Sequence, residues 1–180
     1  MGLYGQKQLA DGMRTVRKNT ITIAEDIPEA QYDFRPAPDS RSVRETLLHI
    51  ASKMLFDLQI HEEEKRSSLE GLDLSSFFKS LPTYEKLPLS KNEILNLLDA
   101  GGERWSSWVE NLPEERLTEI VTRGGAGPGG GSRFEMLIGT KEHEMHHRAQ
   151  LMVTERLLGI VPHLTRNRQQ PPGRPEKAIA

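Results

Sequence analysis

The chain contains no cysteine. That excludes disulfides, thiolate metal ligands and a cysteine nucleophile, and it fits a reducing compartment. It also lacks any run approaching the roughly 20 apolar residues of a membrane span. The opening segment, MGLYGQKQLADGMRTVRKN, has none of the apolar core of a secretory signal. No excess of positive charge points to nucleic acid, because 24 Lys and Arg stand against 26 Asp and Glu for a net charge of -2. There are no internal repeats, and the glycine run TRGGAGPGGGS at 122–132 carries no G-K-[ST], so it is not a nucleotide-binding P-loop. These absences leave a cytoplasmic domain without membrane or nucleic-acid partners as the expectation. At 180 residues the chain is most simply one domain that buries about two-thirds of its unfolded surface.

Helical periodicity is what the chain has instead. A first helix is predicted from about Gly5 to Asp26, ended by Ile27-Pro28, and a proline-marked loop follows. Ser42 and Glu45 form an S-x-x-E capping box that opens a second helix, with Val43, Leu47, Ile50, Met54 and Leu58 at helical spacing. Residues 65–89 read as a long connection whose Phe77, Phe78 and Tyr84 can pack over a bundle end. A second capping box, Ser90 and Glu93, opens helix three, with the stripe Ile94, Leu97, Leu98, Gly101, Trp105, Trp108 and Leu112. The two tryptophans are read as core or dimer contacts. Pro113 ends that helix or starts one more turn. Ser132 and Glu135 form a third box, and helix four runs from Arg133 to Leu158, with Gly159 after it and Pro162 barring resumption. No strand pairs are expected. The prediction is an all-α protein: an up-down four-helix bundle with a long crossover connection over residues 1–165, and a proline-rich disordered tail over 166–180.

Helix four contains KEHEMHHRAQL, residues 141–151, in which His143, Glu144 and His147 match H-E-x-x-H. At about 100° per residue both imidazoles lie on the stripe that includes Met136, Thr140, Leu151, Thr154 and Leu158. Their ring nitrogens can share one metal ion. On spacing alone, metal binding and ordinary hydrogen bonding both stay open. The protease reading fails on its own terms. The extended motif needs glycine at 150 and histidine at 153, where the chain has Gln150 and Val153, and Glu176 lies in the tail. A third ligand has to come from upstream, where His49 and His61 are the candidates and periodicity does not choose between them. Glu144 points about 100° from His143, which suggests a surface carboxylate paired with Arg148 rather than a base. His146 is nearer the flank, an outer partner or interface residue rather than a ligand.

Two segments, DFRPAPDSRSVRETLLHIA and EMLIGTKEHEMHHRAQLMVTERLLGIVP, resemble the DinB-like family of metalloenzymes over about residues 8–162. That family's pattern is one histidine early in helix two, then H-x-x-x-H on the last helix followed by Arg-Gly-Gln and a Leu-Gly-Ile-Pro-like ending. His49, His143 and His147 fall on its three histidines. Two positions depart: Ala149 stands for the usual glycine, and Arg41 for a tryptophan common before helix two. The resemblance implies a divalent metal, nickel or zinc, on three histidines, a homodimer, and a small-molecule substrate. The activities it implies are thiol-dependent S-transfer, with a low-molecular-weight thiol as cosubstrate, or hydrolysis. Arg148 and Gln150 belong to the family-like motif and are read as bonding to their surroundings. Asp57, two turns after His49, is the candidate base or outer partner. The competing expectation is a non-catalytic bundle, used for dimerisation or ligand binding, with a structural or vestigial histidine cluster.

Overall fold

The computed structural model describes residues 4–73, 80, 83–122 and 130–169. Four helices make the bundle: α1 (Gln6–Asp26), α2 (Val43–Asp57), α3 (Lys91–Glu110) and, after the short α4 (Glu114–Thr118), α5 (Arg133–Leu157). A final helix, α6, spans His163–Gln169. It runs past Arg166, where the sequence suggests the tail begins; residues 170–180 lie outside the described residues.

All three capping boxes form. In each, the serine hydroxyl accepts from the backbone N–H three residues on, while the glutamate returns to the serine's own N–H. These pairs satisfy donors that the first helical turn leaves open, which is why the helix starts are legible locally. The end of α2 is different. It passes into a π-helical turn, Leu58–Glu63, that keeps Leu58, Ile60 and His61 buried.

Each of α1 and α2 packs against both α3 and α5. Cross-links give the directions. Arg14 reaches Glu103 on α3 while Lys91 reaches the carbonyls of Glu25 and Ile27, so α1 and α3 are antiparallel. Arg44 bonds the Leu89 carbonyl and Arg104 bonds Glu62, so α2 and α3 run parallel. Parallel helices cannot be joined by a short turn: the chain must return roughly 30 Å along α2 and its extension before starting α3. That requirement explains the long connection after α2.

The apolar core has two main halves. One gathers Ile23, Tyr32, Leu47, Ile50, Ile94, Leu98 and Leu151; the other gathers Leu9, Met13, Met54, Trp105, Val109 and Leu137. Trp105 is therefore a core residue. On α3 the glycine facing inward is Gly102, not Gly101 of the expected stripe: a Cβ there would meet Arg17 Cγ at 2.8 Å, whereas one at Gly101 would meet nothing. Tyr84 packs on the first cluster; Phe77 and Phe78 lie outside the described residues. One small strand pairing interrupts the otherwise helical architecture. Ile120–Val121 pairs antiparallel with Gly131–Ser132, bringing together the two ends of the segment around the glycine run.

Candidate metal centre

Polar contacts at three levels join α2 and its π-helical extension to α5 along their antiparallel seam. His49 meets His143, Thr140 donates to Asp57, and Arg133 Nη1 donates to His61 Nδ1 at 2.6 Å. The first is the candidate centre. His49 Nε2 and His143 Nε2 are 3.0 Å apart. The His147 ring centroid stands 4.6 Å from that of His49 and 4.5 Å from that of His143. One potential ligand atom from each residue fits within a mutual distance of 4.8 Å, and among the described residues no other group of His and carboxylates does so.

Outer hydrogen bonds fix how two of these rings face. Glu85 Oε1 lies 2.7 Å from His49 Nδ1, and a carboxylate can only accept, so the proton is on Nδ1 and the Nε2 lone pair faces the cluster. His147 Nδ1 meets Gln150 Oε1 at 2.8 Å, and the Gln150 amide nitrogen donates to His146 Nε2 at 3.1 Å. This again leaves His147 Nε2 free to coordinate. His143 Nδ1 is buried with no hydrogen-bond partner.

Burial, followed by the other imidazoles nearby, lowers the His143 pKa to about 3. Burial also takes His147 to about 4, and it lowers His49 against the raising effect of Glu85. At neutral pH all three rings are uncharged, as metal ligands must be. Ligands on one tetrahedral ion with bonds of about 2.0–2.1 Å sit roughly 3.3 Å apart. The His49–His143 spacing is close to this. The residues present fit a divalent cation.

The structure thus brings His49 to the α5 pair and sends His61 elsewhere. His61 is buried against Arg133, with its pKa lowered to about 4 chiefly by desolvation. Asp57 is buried but outside the three-histidine group, bonded to Lys53 and Thr140. Glu144 corrects the sequence expectation most clearly. It is 1% exposed and paired with Arg17 on α1, not with Arg148 on the surface. Helix α5 packs against α1 as well as α2, so its buried arc is wider than one stripe. Glu85 was not singled out by the sequence. It sits in the helical segment 83–85 of the long connection, and nothing in TYEKLP distinguishes it from a solvated glutamate.

With this geometry in hand, comparison with known proteins gives a clear placement. Residues 13–151 match the DinB superfamily. The chain belongs to that superfamily. Among solved structures, the DinB-like protein YjoA of Bacillus subtilis superposes with a TM-score of 0.62 at 22% identity, over 84% of this chain and 92% of that one. YfiT of Bacillus subtilis, described as "a probable metal-dependent hydrolase with an unusual four-helix bundle topology", gives 0.66 at 16% identity over 89% and 91%. A protein of Streptococcus pneumoniae gives 0.69 at 15% identity over 87% and 93%. At these identities the superpositions establish the shared DinB-like fold alone. A comparison with curated proteins returns no match. No helix among the described residues is long and apolar enough to cross a membrane.

Proposed function

We propose that this DinB-superfamily chain is a metal-dependent enzyme acting on a small molecule, either as a hydrolase or as a thiol-dependent S-transferase, with His49, His143 and His147 holding a nickel or zinc ion. The observation that carries the proposal is the convergence of three neutral imidazoles, two of them held by outer partners with Nε2 turned inward. When bound, a divalent ion supplies Lewis acidity, which lowers the pKa of a water or thiol beside it and yields a nucleophile near neutral pH.

A cleft of about 670 Å³, within the range typical of small-molecule sites, lies against the outer partners of the centre, though none of the three histidines lines it. Its lining includes Glu85 and Gln150, the outer partners of His49 and His147, together with Arg35, Arg41, Thr46 and Thr154. In this reading Asp57 is the carboxylate that takes a proton. It is bonded to Thr140, three residues before His143, so it stands in the same α2–α5 seam as the ligands. A homodimer belongs to the same proposal; exposed Val153, Leu157 and Val161 near the end of α5 offer apolar surface for it.

Elemental analysis of protein prepared without a His tag tests the centre. One divalent ion per chain, lost in His49→Ala and in His147→Ala, is the expected result. Assays of the loaded protein with ester and amide substrates, and with thiols plus electrophilic acceptors, then separate hydrolysis from S-transfer. One observation favours a second reading, a non-catalytic bundle: the 3.0 Å contact of His49 with His143 can be a plain hydrogen bond. Metal-free protein whose melting is indifferent to added zinc, nickel or chelator would establish that reading instead.

A further inference from the structure

We propose that Glu85 is a positioning residue: its carboxylate locks His49 in the tautomer that presents Nε2 to the centre, and so couples metal affinity to the docking of the long connection on the bundle. The inference rests on the three-histidine reading and concerns a residue outside that set.

Glu85 is 6% exposed, and its two oxygens have different partners. Oε1 accepts from His49 Nδ1 at 2.7 Å, and Oε2 accepts from Arg41 Nε at 2.9 Å. The carboxylate therefore joins three stretches of chain: the loop before α2, α2 itself, and segment 83–85. That segment is anchored in its own right. Tyr84 packs on the core, and the N–H groups of Lys86 and Leu87 donate to the carbonyls of Thr83 and Tyr84. Arg41 holds the carboxylate from the far side, which limits its freedom to leave His49.

The three rings are not held alike. His147 is held by Gln150, a neutral amide on its own helix, and His143 Nδ1 has no partner. Among the described residues only His49 is bonded to a carboxylate. An acceptor with full negative charge at Nδ1 both fixes the ring and makes its other nitrogen a better donor to a cation. Coupling runs in both directions: a cation that needs His49 in this state also favours segment 83–87 in its docked position.

Long-range ¹H–¹⁵N spectra of the imidazoles in metal-free protein test the tautomer, and zinc competition with a chromophoric chelator tests the affinity. In the unmutated chain His49 is expected to carry its proton on Nδ1. Glu85→Ala should shift it towards Nε2–H and weaken zinc binding by roughly 10–100-fold. Glu85→Gln keeps an acceptor but no charge, so it should retain the tautomer and lose less affinity. An Nε2–H tautomer in the unmutated chain, or unchanged zinc affinity in Glu85→Ala, overturns the proposal. So does lost affinity in Glu85→Ala with the His49 tautomer intact, which would mean a merely structural role. If Glu85→Ala fails to fold, the unmutated tautomer and a Glu85→Gln affinity equal to that of the unmutated chain still decide against it. Should the unmutated chain bind neither zinc nor nickel, the metal reading itself fails, while the spectra still show whether Glu85 sets the tautomer.

Discussion

Arg17 on α1 and Glu144 on α5 form a two-point ion pair in the interior, with Nε donating to Oε1 at 2.9 Å and Nη2 to Oε2 at 2.8 Å. Their side chains are 5% and 2% exposed. Arg17 also donates to the Leu98 carbonyl and contacts Met54 Sδ, so the guanidinium lies where the two halves of the core meet. Gly102 leaves the room its methylenes need. The glutamate of the H-E-x-x-H pattern is thus committed to holding helices together.

Glu144→Gln should therefore cost stability rather than chemistry. Removing one charge of a buried pair strands the other, at about 3–5 kcal/mol. The expected result is a large fall in the denaturant midpoint, with metal stoichiometry retained in the folded fraction. A stability change under about 0.5 kcal/mol, or metal loss from fully folded protein, would contradict this role.

Acid should destabilise the metal-free protein through its buried histidines. His61 and His147 are lowered from 6.5 to about 4 and His143 to about 3, in each case first by burial. Between about pH 6.5 and 4 the unfolded chain takes up protons that the folded chain refuses, so stability falls as pH falls, by at most about 1.4 kcal/mol per pH unit for each group. Above about pH 6.5 these groups contribute no slope. Thermal melts from pH 7.5 to 4.5 check this. In His61→Gln, whose amide oxygen can accept from Arg133, the slope should be shallower.

Glu155 has the opposite sign. It is fully buried with neither carboxylate oxygen bonded, and burial first, then the charge of Asp26, raises its pKa from 4.5 to about 7. The folded state holds the proton longer than the unfolded chain, so its cost appears as pH rises from about 4.5 and is complete above pH 7. Glu155→Gln should leave melting at pH 5 nearly unchanged and raise it at pH 8, the full effect being up to roughly 3 kcal/mol. Equal shifts at both pH values would show that protonation is not the cause.

What could be read from the sequence was what local chemistry encodes. The capping boxes at Ser42, Ser90 and Ser132 mark helix starts because their partners are three residues away. The inward direction of His143 and His147 followed from helical rotation. The choice of His49 over His61 did not, since it depends on which turn of α2 lies opposite which turn of α5; it came from family likeness. Glu144 and Glu155 look like surface carboxylates on a helical wheel. They are buried because α5 has neighbours on more than one side, which periodicity along one helix cannot reveal. Glu85 was invisible for a related reason: its partner lies 36 positions earlier in the chain.

The polar seam between α2 and α5 also bears on how the centre can fail. His49–His143, Asp57–Thr140 and His61–Arg133 are spread along one antiparallel contact, and sliding α5 by a single turn, about 5.4 Å, would break Asp57–Thr140 and His61–Arg133 even where it set His147 against His49 in place of His143. The histidine spacing is therefore guarded by groups far from it, and the cluster should keep its shape until the two helices separate.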